Sequence, residues 1–295
     1  MVMVSFCDMT LQDIIVELDR FWKSYGCILL EPYSSEVGAG TFNPATFFKV
    51  LEPGKWNVAY VELSKRPKDG RYAKNPIRFQ QFYQYQVILK PAPFNVQELC
   101  LKSIETMGLE LKQHDIRFVE DDWESETLGA AGLGWELWLD GMEILQFTYF
   151  QQMGGMELKI TPVELTYGIG RIAMVVQGKK SFFEVEWGNK ITHGKLYKQI
   201  EYEFSRFNFD EANIGLHLEL FSKFEQEAKR LLELGLIYPG YDYVIKCSHI
   251  LNVLDARRAI SPSERKSYIA RIRRLSNATA QKYIETIANE KDPSF

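Results

Sequence analysis

The feature that most limits the fold is a succession of short strand-like runs joined by turn signals. It fills the chain up to about residue 165. The runs are Cys27–Tyr33, Asn57–Leu63, Phe79–Leu89, Ile116–Val119, Gly134–Leu139, Met142–Phe150 and Glu157–Leu165. Asp140-Gly141 stands between two of them, and Asp-Gly is a hairpin dipeptide because both residues tolerate positive φ. Strands that follow one another through tight turns pair antiparallel, whereas parallel neighbours need a long crossover. The expectation is an α+β fold built on an antiparallel sheet, not a doubly wound one.

Helical spacing brackets and follows this sheet. Leu11, Ile14, Ile15, Leu18, Phe21, Trp22 and Tyr25 recur on one helical face. Thr10 is placed to cap that helix and Gly26 to end it. A second helix is expected over Val96–Met107, with Asn95 and Glu98 as a capping box and Gly108 as the stop. Near residue 180 the texture changes to almost wholly helical, with helices over Asp210–Leu234, Tyr243–Ile260 and Pro262–Asn289. Ser261-Pro262-Ser263-Glu264 combines a capping box with proline at the first helical position. The chain of 295 residues allows about two domains, taken here as 1–180 and a helical 181–295.

The apolar fraction of 46% and charged fraction of 25% are those of a globular protein, which excludes disordered and collagen-like architectures. The longest stretch without charge, Ile144–Met156, is too short to span a bilayer, and no secretory pattern opens the sequence. The cysteines, Cys7, Cys27, Cys100 and Cys247, and the histidines, His114, His193, His217 and His249, fit no zinc spacing. They read as structural or surface residues of a reduced, cytoplasmic protein. A net charge of −4 argues against nucleic acid being wrapped by this chain alone. It leaves room for a local basic patch or a second subunit.

Three stretches carry possible chemistry. In Phe79–Leu89, Phe82, Gln84 and Gln86 share one strand face and Tyr83, Tyr85, Val87 and Leu89 the other. A ring beside two amides suits a planar polar ligand, and a strand with one solvated face is the plainer alternative. The loop Ser64–Arg78 before it holds six basic residues, a composition that can clamp a polyphosphate or simply face water. Pro162–Arg171 runs from a strand through Gly168-Ile169-Gly170 into a helix bearing Arg171, a residue type seldom buried unpaired. Its glycines are not a dinucleotide fingerprint.

In this order these pieces resemble the class II aminoacyl-tRNA synthetases. Arg78-Phe79-Gln80-Gln81-Phe82 is similar to the return half of their second motif, R-x-x-x-F. Gly168-Ile169-Gly170-Arg171 is similar to their third motif, with Gly170 where the family usually has an acid. The first, dimer-forming motif is matched weakly, by Leu11–Pro32 or the stretch up to Pro44. Longer stretches narrow the resemblance to the alpha subunit of bacterial heterotetrameric glycyl-tRNA synthetase. They are Gly38–Phe42, Arg117–Ser125, Gly134–Glu136, Gln146–Gln152 and Leu254–Ser261. Glu136-Leu137-Trp138 and Gln146-Phe147 also resemble alanyl-tRNA synthetase.

The resemblance implies activation of glycine by ATP to glycyl-adenylate and, with a beta subunit in an alpha2-beta2 assembly around an alpha homodimer, transfer to tRNA(Gly). It implies that Arg66, or alternatively Arg71, meets the α-phosphate, that Arg78 reaches the outer phosphates, and that Phe82 and Arg171 hold adenine between them. Mg2+ would bridge the phosphates, with Glu157 as its protein ligand. Glu164, seven residues before Arg171, would bind the amino group of glycine. Gln84, Gln146, Thr148 and Trp123 would shape its pocket, Trp135 being another wall and Trp138 core. Asp121, Asp122 and Glu124 would form an outer acidic shell. Asp255–Arg274, with seven basic and two acidic residues, faces RNA, a partner or only solvent. Another adenylate-forming enzyme of the same fold, or a non-catalytic subunit, are the competing readings.

Overall fold

The computed structural model describes residues 9–290, so Cys7 lies outside the described residues. Among these, nine strands form one sheet in the order β1-β2-β3-β9-β7-β6-β4, with β5 on β6 and β8 on β7. The strands are β1 (Ile28–Leu30), β2 (Trp56–Lys65), β3 (Gln81–Lys90), β4 (Ile116–Glu120), β5 (Trp123–Ser125), β6 (Ala130–Leu139), β7 (Met142–Met153), β8 (Met156–Glu157) and β9 (Val163–Gly168). A small hairpin, β10 (Glu186–Gly188) with β11 (Ile191–Thr192), stands apart from it. The helices are α1 (Leu11–Tyr25), α2 (Pro44–Phe47), α3 (Val96–Glu105), α4 (Ile169–Val176), α5 (His193–Arg206), α6 (Ile214–Glu233), α7 (Ile237–Ala256) and α8 (Pro262–Glu290).

The class is α+β, but the sheet is mixed. β1 runs parallel to β2, because the chain between them crosses a sheet face through α2 instead of turning back in a hairpin. The run expected over Glu157–Leu165 is two strands. Gly154 and Gly155, both at positive φ, turn the chain so that Glu157 pairs Gln152, and β9 starts only after Pro162, which has no N–H to give. The β6–β7 hairpin at Asp140-Gly141 is as expected, with φ of 50° and 81°.

Both ends of α1 follow the sequence. Asp13 N–H donates to Thr10 Oγ1 (3.3 Å), and Gly26 closes the helix at φ 103°. The Ser261 box forms too: Ser261 N–H donates to Glu264 Oε2 (2.7 Å). At α3 the expected box does not form, since the Asn95 amide turns to the Glu98 carboxylate (3.4 Å) and leaves the backbone uncapped. The helix α7 begins six residues before the expected Tyr243, because Pro239 sits in its first turn, where a missing N–H is harmless. The helix α6 starts at Ile214, after a π turn over Phe207–Glu211. The helix α5 was not anticipated.

Strand alternation sorts the core into two layers. Tyr85, Val87 and Leu89 of β3, with Val163, Leu165 and Tyr167 of β9, pack under α1, α3 and α4. On the other face Val58, Tyr60, Ile88 and Phe150 pack with α2 and with Phe221, Tyr241, Val244 and Leu275 of α6, α7 and α8. Further along that second face the side chains become polar: Glu62, Ser64, Gln84, Gln86, Thr148 and Glu164 are all buried there. Cys27, Cys100 and Cys247 are buried free thiols. Buried His193 stacks on Phe182 at 3.9 Å, and desolvation lowers its pKa to about 4, as befits a structural residue. No helix among the described residues is long and apolar enough to cross a membrane.

Candidate active site

Where the second face turns polar it opens into a cleft of about 270 Å³. Antiparallel register brings the lining together: Gln84 of β3 lies opposite Gly168 of β9, Gln86 opposite Thr166, and Thr166 opposite Gln146 of β7. The β2–β3 loop contributes Arg66 and Arg78, and the first turn of α4 contributes Arg171. Arg66, Arg78, Phe82, Gln84, Gln146 and Arg171 all border this one cavity.

Each arginine is held differently. Arg66 Nε donates to Gly38 O (2.9 Å), and its guanidinium lies 5.0 Å from the centre of the Phe82 ring. The Asn75 side chain accepts from Ile77 and Arg78 N–H (2.9 and 2.8 Å), a turn that delivers Arg78 to the rim. Arg171 Nη1 donates to the Glu143 carboxylate (2.7 Å) and to the Glu143 carbonyl (2.9 Å). Three cations against Glu143 and Asp69 make a cleft suited to a polyphosphate, and the ring of Phe82 adds a surface for a flat base.

Glu143 answers the departure seen at Gly170. The carboxylate beside Arg171 comes from β7, not from the α4 turn. Gly170 has no room for one, because a Cβ there would lie 2.8 Å from the Phe182 ring. Gly170→Glu is expected to destabilise the protein by about 1–3 kcal/mol through overpacking, read as a lowered unfolding temperature.

The amides and acids each have their own partners. Gln84 Oε1 accepts from Gly40 N–H (3.1 Å) and Ser64 Oγ (2.5 Å), leaving its amide nitrogen as the remaining donor. Gln146 Nε2 donates to Asp121 Oδ2 (2.7 Å). Glu164 is buried beneath the Gly38–Phe42 segment, where Thr41 Oγ1 donates to its two carboxylate oxygens (2.8 and 2.9 Å). Burial raises the Glu164 pKa to about 8, against the pull of Thr41, Gln86 and Thr166. The segment can lie so close because Gly40 has no Cβ, which would fall 2.6 Å from Gln86 Oε1.

The remaining expected residues lie elsewhere. Thr148 is buried opposite Glu164 on β7. Trp123 packs on Phe150 at 5.5 Å, and Trp135 stacks on Phe147 at 5.6 Å, so neither tryptophan borders the cleft. Trp138 is half-buried, with its Nε1 on Glu136 (2.7 Å). Glu157 is exposed on β8, away from the cleft lining. Arg71 borders a second groove with Lys68, Tyr72, Phe209, Arg257 and Arg258, and Arg71 Nη1 donates to the carbonyls of Lys68 (3.1 Å) and Gly70 (2.6 Å). Within the basic stretch, Arg257 donates to Ala212 O (3.1 Å) and Arg265 pairs with Asp255 (3.2 Å). Arg271 pairs with Glu225. The described residues hold no group of three His, Cys, Asp or Glu placed to bind a metal ion.

The profile of the glycyl-tRNA synthetase alpha subunit matches residues 11–288. Among solved structures, two of pyrrolysyl-tRNA synthetase from Desulfitobacterium hafniense are similar to this chain. They share 10% and 9% identity, each with a TM-score of 0.46, over 62% of this chain and 73% and 75% of theirs. With a cation-lined cleft on a mixed sheet and a family match over nearly its whole length, the chain belongs to the glycyl-tRNA synthetase alpha subunits, which are class II aminoacyl-tRNA ligases.

Proposed function

We propose that the chain activates glycine with ATP, forming glycyl-adenylate and pyrophosphate, and that with a beta subunit it transfers glycine to tRNA(Gly). The observation that carries this reading is the convergence of Arg66, Arg78 and Arg171 with Phe82 and two amides on one cleft. In the first step a glycine carboxylate oxygen attacks the α-phosphorus and pyrophosphate leaves. The protein's part is to align the two reactants and to stabilise the charge that develops on the phosphate oxygens.

In this reading Phe82 stacks on adenine and Arg171 covers the other side while reaching the γ-phosphate. Arg78 holds the outer phosphates. Arg66 meets the α-phosphate, a role supported by its place beside Phe82, whereas Arg71 is tied to loop carbonyls in the other groove. ATP arrives as its Mg2+ complex, and Glu143 and Asp69 are the carboxylates bordering the cleft. For Glu157 to serve as a metal ligand the chain around β8 has to move.

Glycine is placed beside Gln84 and Gln146, with Glu164 receiving its ammonium once Thr41 withdraws. Thr148 beneath, and Trp123 further off, support that wall. A pocket closed to an added methyl group rejects alanine by clash, a stronger device than a missing methyl contact, worth about 1–3 kcal/mol. Residues 1–180 are taken as the catalytic unit and 181–295 as the helical one, in a cytoplasmic alpha2-beta2 enzyme. The exposed edge strand Ile28–Leu30 supports an alpha–alpha contact there.

Glycine-dependent exchange of labelled pyrophosphate into ATP tests the reading directly. Exchange stimulated by glycine and not by alanine or serine is the expected result. ATP binding without any dependence on glycine would instead favour another adenylate-forming activity.

A further inference from the structure

The helix α5 is folded inside out. Leu196, Ile200, Phe204 and Phe207, spaced along one face, are each 39% exposed. The face turned inward is polar: buried His193, Glu201, Ser205 and Asn208, with Tyr197 among them. A helix that buries a carboxylate and exposes phenylalanine is not placed by hydrophobic burial alone, because an unpaired buried carboxylate is strongly unfavourable. His193 Nδ1 and Asn208 Nδ2 find no hydrogen-bond partner, but Tyr197, Glu201 and Ser205 each meet a particular one.

Those partners are the two arms that carry the ATP-cleft residues. Tyr83 Oη of β3 donates to Tyr197 Oη (2.9 Å). Glu201 Oε1 accepts from Gln80 N–H (2.8 Å). Ser205 Oγ accepts from Tyr72 N–H (3.0 Å), and Gly70 lies so near Ser205 that a Cβ would fall 2.8 Å from its hydroxyl. Tyr197, Glu201 and Ser205 are successive turns of one helix stripe, each gripping a different point of the β2–β3 hairpin.

The middle grip is the informative one. The Gln80 peptide is held on both sides: its N–H by Glu201, and its carbonyl by Arg66 N–H (2.6 Å). Arg78 and Phe82 stand two residues away on either side. One carboxylate thus ties the backbone that presents Arg66, Arg78 and Phe82 to a helix lying outside the cleft lining. Burial raises the Glu201 carboxyl to about 7, opposed by the N–H groups of Gln80 and Gln81, with Asp69 nearby adding to the rise.

We infer that Glu201 is a positioning residue for ATP: through the Gln80 peptide it sets the spacing of the arginines and the aromatic ring that grip the nucleotide. The inference rests on the reading of the cleft as an ATP site. It predicts a selective defect, because the glycine-side residues Gln84, Gln146 and Glu164 bond to Gly40, Ser64, Asp121 and Thr41 and not to Glu201.

The test is the kinetics of glycine-dependent ATP–pyrophosphate exchange. Glu201→Ala is expected to raise the KM for ATP about tenfold or more, the loss of a bond to a charged acceptor, while the KM for glycine stays within about threefold. Glu201→Gln keeps an acceptor oxygen and is expected to bring the ATP KM back to within about threefold of the unmodified chain. Should Glu201→Ala not fold, Glu201→Asp, which withdraws the carboxylate by one methylene, reads the same split. Phe82→Ala is the control for the cleft itself. If Phe82→Ala weakens ATP and the Glu201 variants do not, or if they shift ATP and glycine equally, the positioning role is overturned. If Phe82→Ala leaves ATP unaffected, the ATP reading beneath it fails instead.

Discussion

Replacing Arg171 with alanine is expected to lower glycine-dependent ATP–pyrophosphate exchange by about 10²–10³-fold, the effect of removing one preorganised group at a developing charge. The folded protein should survive the change. The Arg171 and Glu143 side chains are 40% and 31% exposed, and an ion pair of that kind contributes about 0–1 kcal/mol. Exchange and thermal unfolding measured on one preparation separate the two effects. Undiminished exchange in a folded Arg171→Ala protein would remove Arg171 from the reaction. Glu143→Ala should act in the same direction but more weakly, since the guanidinium keeps the Glu143 carbonyl as a partner.

Glu164→Gln is expected to raise the KM for glycine by about 10–100-fold, the range for losing a charge-assisted bond, and the KM for ATP by less than about threefold. Its pH dependence gives a second signature. Burial lifts the Glu164 carboxyl from 4.5 to about 8, so between those values the folded chain retains a proton that the unfolded chain has lost. Folding takes up that proton, and this residue's contribution to stability falls as pH rises from about 4.5 to about 8. Glu164→Gln has no such slope and should gain in relative unfolding temperature toward pH 8. Glycine's ammonium favours the ionised carboxylate, so its KM should fall with rising pH across the same window in the unmodified chain and stay flat in the variant. Equal effects on glycine and ATP, with no pH signature, would make Glu164 a structural acid.

The parts legible in the sequence were those fixed by neighbours along the chain. The caps of α1 and α8, the Asp140-Gly141 turn and the division of Phe82, Gln84 and Gln86 from Tyr83, Tyr85 and Val87 each depend on a few consecutive residues. Once the resemblance supplied the register, Arg66, Arg78, Phe82 and Arg171 could be named before their convergence was visible. Glu143 could not, because it meets Arg171 only through the pairing of β7 with β9. The parallel entry of β2 depends on a crossover whose path no local pattern encodes. The helix α5 escaped because helix reading assumes apolar residues face inward, and here the polar ones do. Glu164 was found, but its cover by Thr41 was not, since Gly38–Phe42 is irregular chain laid across the sheet.

The seat of Phe182 over Gly170 also limits what position 170 can hold. Its ring rests against His193 and Phe79, so shrinking it leaves a void, while an acid at 170 with the ring in place collides. Either change made alone is expected to lower stability, the one by cavity formation and the other by overpacking. An acid at position 170 therefore requires a compensating change at position 182, so the two positions are coupled and have to be altered together.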